Sequence, residues 1–261
     1  MNELPFKKKM AKRILKLAAF DFDSTIINYN SDTYINKLAE NGKKLKFPNE
    51  IENLTETQGW TQRMNAVFKY LLEAHKVSKE SMINCLKEIQ IDKSMIDLVR
   101  ELKLNEFEII IISDANSIFI ETILKENGIF EYISQIYTNP AHFDDKECLK
   151  VTPFNEIFNK NGEIFTCETG ICEKNMCKGT ILKSHIEKYA NEANLNLVYV
   201  GDGTNDLCPG LYLKEEDLYF VRTNFSLDKL LKRDQNLKAK LAGKIFFWND
   251  ADGIKSNLNF K

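Results

Sequence analysis

The sequence predicts an α/β protein: a doubly wound, mostly parallel sheet with a block of helices inserted near its start. Three features lead there. Six short runs rich in branched and aromatic residues, nearly unbroken by polar side chains, read as strands covered on both faces. Stretches of helical period lie between several of them, which implies right-handed crossovers between parallel neighbours. Residues 33–92 carry helical patterning and no convincing strand, as an insertion would.

The first run is ILKLAAF (14–20). The basic stretch before it resembles the start of a signal peptide. However, Asp21 and Asp23 follow at once, with no small-residue cleavage site ahead of them, so a basic tail entering a strand is the better reading. The polar block 33–92, containing RMNAVFKYLLEAH, reads as a helical cap. The core is then residues 1–32 and 93–261, resumed by the run FEIIII (107–112) and the helix SIFIETILKENG (117–128). After YISQIYT (132–138), residues 139–177 are irregular and hold four cysteines, as a long loop with a hairpin would. The helix TILKSHIEKYANEA (180–193) leads to the last runs, LNLVYV (195–200), LYFV (218–221) and KIFFW (244–248).

Composition removes several function classes. The 261 residues are 43% hydrophobic and 28% charged, as in ordinary globular proteins. A net charge of -2 argues against a nucleic-acid partner, and no apolar run reaches the roughly 18 residues of a membrane span. Six cysteines in a chain of this size are not a secreted disulfide scaffold, so a reducing, cytoplasmic setting is expected.

Polar clusters stand where strands end or a helix opens. Asp21 and Asp23 follow the first run in DFDST, Ser113 the second in ISDAN, and Lys178 opens a helix in NMCKGT. Asp202, Asn205 and Asp206 follow a third run, in GDGTND. Ligands of open α/β sheets bind outside the carboxyl ends of the strands, so these groups should converge. Carboxylates as close as Asp21 and Asp23 repel unless a cation lies between them. Asp21, Asp23 (by side chain or carbonyl) and Asp202 are hard oxygen ligands suited to Mg²⁺. An oxygen of Asp21 can then attack phosphorus to give an aspartyl phosphate. Asp23 would protonate the leaving alcohol and later activate water. Ser113 and Lys178 would donate to the phosphoryl oxygens, with Asn205 and Asp206 in support. Gly201 and Gly203 would let the backbone approach. The blander reading of the first motif is a calcium loop. An EF-hand, though, needs Gly sixth and Glu twelfth, where this chain has Ile26 and Asp32. Taken singly, Ser113 would be a turn residue and Lys178 a surface one.

At these residues the chain resembles the haloacid dehalogenase superfamily of aspartyl-phosphate phosphatases, whose four motifs match DFDST, Ser113, Lys178 and GDGTND. NSDT (30–33), VFKYL (67–71), TNPA (138–141), NMCK (175–178) and GDGTNDLCP (201–209) are similar to its phosphoethanolamine/phosphocholine and pyridoxal-phosphate phosphatase branch. That resemblance implies a small phosphomonoester substrate, and it implies that Asp32 and Asp114 face a substrate amine. An Asx turn for Asp32 and a helix N-cap for Asp114 are the structural alternatives. Two departures stand out. Ala66 occupies a position where the branch usually has Arg. The loop cysteines Cys167, Cys172 and Cys177 are spaced C-x4-C-x4-C, which is not a recognised zinc pattern. His185 is the nearest further ligand, but it reads as a surface residue of the next helix. A phosphatase for another metabolite, such as phosphoserine, and a non-catalytic scaffold that kept the fold are the rival readings.

Overall fold

The computed structural model describes residues 13–39, 45–158, 167, 169–172, 174–189 and 193–258. The basic tail and part of the irregular loop lie outside the described residues. Six strands form one sheet: β1 (Arg13–Phe20), β2 (Phe107–Asn116), β3 (Gln135–Asn139), β6 (Ala193–Gly201), β7 (Leu218–Arg222) and β8 (Lys244–Trp248). Their spatial order is β3-β2-β1-β6-β7-β8, with every neighbour parallel. The chain thus grows outward from β1 to one edge, then crosses back and grows to the other. A topological switch point of this kind leaves a crevice at the carboxyl ends of β1, β2 and β6.

Near-continuous apolarity has its cause in burial on both faces. Ala18, Phe20, Ile109, Ile111, Val198 and Val200 point to one side, where helices Lys93–Leu104 and Ser117–Glu126 cover them. Leu17, Ala19, Ile110, Ile112, Leu197 and Tyr199 point to the other, against helices Lys178–Glu187 and Ser226–Arg233. Alternation of side chains along each strand does the sorting.

The described part of block 33–92 forms helices and turns, dominated by Trp60–His75 and Lys79–Lys87. Thr61, Met64, Val67, Phe68 and Leu71 make the buried stripe of the longer helix. Their apolar members join the same core cluster as the sheet face, so this block is not held by a separate core. It is also fastened to a hairpin of β4 (Ala141–Phe143) and β5 (Leu149–Val151), which lies within the irregular segment. There the Asn65 amide donates to the Val151 carbonyl and accepts from its N–H, both at 2.8 Å, as a neighbouring strand would.

Three expectations need correction. Residues 130–132 form a single 3-10 turn, and β3 begins only at Gln135. The helix expected to run to residue 193 ends at Glu187, because Ala193 already pairs with Arg13 in the β1–β6 ladder. His185 is 3% exposed, not a surface residue. One helical turn beyond Ile181 and Leu182, it faces the sheet, where its Nδ1 lies 2.8 Å from the Tyr137 hydroxyl and its Nε2 3.3 Å from Glu108.

Candidate active site

β1 delivers Asp21 one residue past its end, and the Asp21 N–H continues the ladder by donating to the Val200 carbonyl at 2.9 Å. Asp21 is almost fully buried. Its Oδ1 accepts from the Phe22 N–H at 2.6 Å and its Oδ2 lies 2.5 Å from Lys178 Nζ. Each oxygen keeps a lone pair after these contacts. β2 ends in a register shift between Ser113 and Asn116. Such a bulge re-aims side chains at a strand's end. Ser113 lines the cavity, and its Oγ also accepts from the Ala115 N–H at 3.3 Å.

Lys178, which alone would read as a surface residue, is 1% exposed. Its ammonium lies between Asp21 and Asp206, 2.9 Å from Asp206 Oδ1. Burial opposes its charge. Attraction to Asp206, Asp21 and Asp114 outweighs that and holds the ammonium above the usual lysine range.

Asp206 is the hub of this end. Its Oδ1 accepts from Lys178 and from the Tyr199 hydroxyl at 2.8 Å, and its Oδ2 from the N–H groups of Asp202 and Gly203 at 3.0 and 2.9 Å. The fit tolerates no side chain at Gly201, where a Cβ would stand 2.4 Å from Asp206 Cγ. Close approach, not turn geometry, requires that glycine.

The ligand oxygens of Asp21, Asp202 and Asp206 all lie within 4.8 Å of one another. Octahedral Mg²⁺ with bonds of about 2.1 Å sets its ligand oxygens about 3.0 to 4.2 Å apart, which falls within that limit. Asp206 is already saturated by four donors, so Asp21 and Asp202 are the better ligands. Burial pushes Asp21 up to about 7, with Asp206 adding to the rise, and pushes Asp202 up to about 8, with Asp21 adding to it. Thr25, from the first motif, donates to Asp202 Oδ1 at 3.2 Å and braces the pair. Buried oxygens that resist ionising side by side are what a hard divalent cation relieves.

Asp23 turns the other way, toward the helical block. Its Oδ2 accepts from Ser31 Oγ at 3.1 Å, while Oδ1 is buried with no hydrogen-bond partner among the described residues. Burial, and then Asp32 beside it, holds Asp23 well above the usual carboxylate range. Asp32 is 5% exposed and accepts from Trp60 Nε1 at 2.7 Å. Asp114 accepts from Asn175 at 2.9 Å and closely from Asn205. Neither residue does what its structural alternative requires. The helix Ser117–Glu126 is capped by Asn116, which accepts from the Phe119 N–H at 3.1 Å, and the turn at residues 30–33 is capped by Asn30.

A cavity of about 160 Å³ is lined by Asp21, Asp23, Asp32, Ser113, Asp114, Asp202 and Asn205, together with Ser24, Asn30, Trp60, Ala115 and Gly203. Asp21, Asp23, Asp32, Ser113, Asp114, Asp202 and Asn205, the candidate catalytic, metal-binding and substrate-binding residues, therefore line this space, while Lys178 and Asp206 contact Asp21 and each other beside it. Sequence reasoning missed Trp60, Tyr199 and Asn175. Trp60 sits just after Gly59, a left-handed residue (φ 97°) at the start of a helix, and a glycine before an amphipathic run was its one available signal.

The sequence matches the family described as "Putative Phosphatase" over residues 16–261. It is 36% identical over 249 residues to the pyridoxal phosphate phosphatase PHOSPHO2 of Rattus norvegicus, covering 94% of this chain and 97% of that one. It is 32% identical over 238 residues to inorganic pyrophosphatase 1 of Arabidopsis thaliana, covering 91% and 76%. Among solved structures, a phospho-aspartyl intermediate analogue of phosphoserine phosphatase superposes with a TM-score of 0.57 at 18% identity, over 95% of this chain and 100% of that one. That likeness carries the fold alone, while the family match spans nearly the whole chain and takes in all four motifs. The chain belongs to this phosphatase family, built on the haloacid dehalogenase fold.

Proposed function

We propose that the protein is a Mg²⁺-dependent hydrolase of a small phosphomonoester, working through a phosphoryl group carried on Asp21. The observation that carries this reading is Asp21 itself, a buried carboxylate held between the Phe22 N–H and Lys178 and opening on a cavity shared with Asp23 and Ser113. Asp21 and Asp202 would hold the metal, with the Asp23 carbonyl as a further hard ligand. When bound, the ion supplies positive charge that lets two acids share the site and that draws phosphoryl oxygens into line.

The protein's own groups do the remaining work. Asp21 attacks phosphorus, and the leaving alcohol takes its proton from Asp23, whose burial holds it well above the usual carboxylate range and so favours the acid form. Asp23, now a base, removes a proton from the water that cleaves the aspartyl phosphate. Ser113 and Lys178 hold charge on the equatorial oxygens. Asp206 and Tyr199 fix Lys178 in position.

Substrate choice falls to the side facing residues 33–92, which act as the cap in this reading. Asp23, Asp32 and Asp114 bring three acids to the cavity wall. Arg63 of the helical block acts on Asp32 at longer range, but it is bound to Glu52 at 3.0 Å and stacked 5.1 Å from the Trp60 ring. An acidic wall favours a substrate with a cationic group beyond its phosphate. Phosphoethanolamine, phosphocholine and pyridoxal 5′-phosphate with its ring nitrogen fit that description, and the similarity to pyridoxal phosphate phosphatases supports the last.

The test is phosphate release across a panel of small phosphoesters, with and without Mg²⁺, for wild type and Asp21→Asn. Metal-dependent turnover lost in the variant is expected. Equal inertness of both proteins across the panel would favour the scaffold reading.

A further inference from the structure

Beside Lys178, and outside the cavity lining, four cysteines converge. Cys167, Cys172 and Cys177 come from the irregular segment and Cys208 from the fourth motif, two residues after Asp206. All four sulfurs lie within 4.8 Å of one another, and none is in a disulfide. Cys208 Sγ is 3.3 Å from Cys167 Sγ and 3.2 Å from Cys172 Sγ. A disulfide would bring a pair to about 2.05 Å and leave the other two apart. Four sulfurs around one centre are a different arrangement. Zinc bonds of about 2.3 Å give a tetrahedron whose edges are about 3.8 Å, inside the range seen here. That space suits one ion and is too small for a cluster.

We infer that the protein holds a structural zinc ion on Cys167, Cys172, Cys177 and Cys208, separate from the magnesium site. The surroundings suit thiolates. Cys177 is the N-cap of the ten-residue helix Lys178–Glu187, where the helix dipole favours negative charge. Two hydroxyls reach the sulfurs: Thr169 lies 3.0 Å from Cys167 and 2.8 Å from Cys208, and Thr180 donates to Cys177 at 3.6 Å. Such outer contacts orient ligands and spread the charge of a tetrathiolate site. Cys177 and Cys208 are buried, and the other two are half-buried. On binding, thiol protons pass to solvent and four S–Zn bonds form, with no change of oxidation state.

The position gives the ion its role. It would join the residue before Lys178 to the chain just beyond Asp206, clamping together the two elements whose side chains meet at 2.9 Å in the active site. The spacing of the first three cysteines hid this, because the fourth ligand comes from a distant motif and not from His185.

Metal analysis of the 261-residue chain, purified under reducing conditions and dialysed to strip Mg²⁺, should find about one zinc per chain. Modifying the thiols with a mercurial should release that zinc in step with four thiols of the wild type, a readout that needs no variant to fold. Cys167→Ser and Cys172→Ser should each lose the zinc, while Cys148→Ser, a buried cysteine outside the cluster, should keep it. Four thiols that react freely with no bound metal would overturn the inference. So would a disulfide among these four in the freshly reduced protein, or iron in place of zinc.

Discussion

The two ends of the cavity are built from the same residue type and held in opposite ways. At the deep end, Asp206 satisfies four donors, and Lys178 is fixed between it and Asp21. At the end facing the helical block, Asp23 keeps a buried oxygen without a hydrogen-bond partner among the described residues, and Asp32 accepts from the Trp60 indole N–H. Buried charge is tolerated only where paired, so the deep end is rigid scaffold for chemistry. The opposite end retains unmet demand for positive charge, and a ligand is what can meet it.

The largest effect should come from the deep end. Asp21→Asn should lower kcat by about 10⁴-fold or more while the chain stays folded, measured by phosphate release beside circular dichroism. Residual turnover near wild type would remove the contrast altogether. Asp206→Asn should come next. However the amide is turned, it loses either Lys178 and Tyr199 or the two backbone donors. Unfolding in denaturant should reveal a loss of about 3–5 kcal/mol.

The opposite end should behave in reverse, losing selectivity while gaining stability. Burial raises Asp32 to about 6, with the Trp60 hydrogen bond opposing and Asp114 adding to the rise. Its ionisation is thus harder in the folded chain than in the unfolded one. Its contribution to stability is complete below about 4 and is lost as pH rises through about 6. Asp32→Asn should therefore stabilise the protein at neutral pH by on the order of 1–3 kcal/mol, read as a higher Tm. The same variant should raise KM for phosphoethanolamine by roughly 10-fold, and less for an uncharged phosphoester. An equal rise for both substrates would detach Asp32 from the amine.

In the wild type, preference for the cationic substrate should fade as pH drops below about 6, where Asp32 becomes neutral. The ratio of the two KM values isolates this, because the titration of the phosphate group is common to both. Smallest of all, Trp60→Phe should shift KM by a few-fold with kcat nearly unchanged, since one hydrogen bond to a charged acceptor is lost.

The same division governs what could be read in the sequence. Asp21, Ser113 and Asp202 each follow an apolar run directly, and the switch-point rule needs nothing beyond strand order to gather them. Six parallel strands were legible for a similar reason, because burial on both faces leaves an unbroken apolar signal. Trp60 and Asp32 meet only through tertiary packing, as do Tyr199 and Asp206, and no periodicity links their positions. His185 looked like surface because one helical residue carries no sign of which neighbour covers it. The cysteine cluster was obscured by its fourth member, which spacing rules do not reach.

The central claim is a covalent one: a phosphoryl group rests on residue 21 during turnover. Acid quenching of a reaction with radiolabelled phosphoester, followed by peptide mapping, tests it directly. The label should appear as an acyl phosphate on the peptide containing Asp21 and be absent from Asp21→Asn. Label on another residue, or an unlabelled protein that still releases phosphate at full rate without forming any phosphoenzyme, would contradict it.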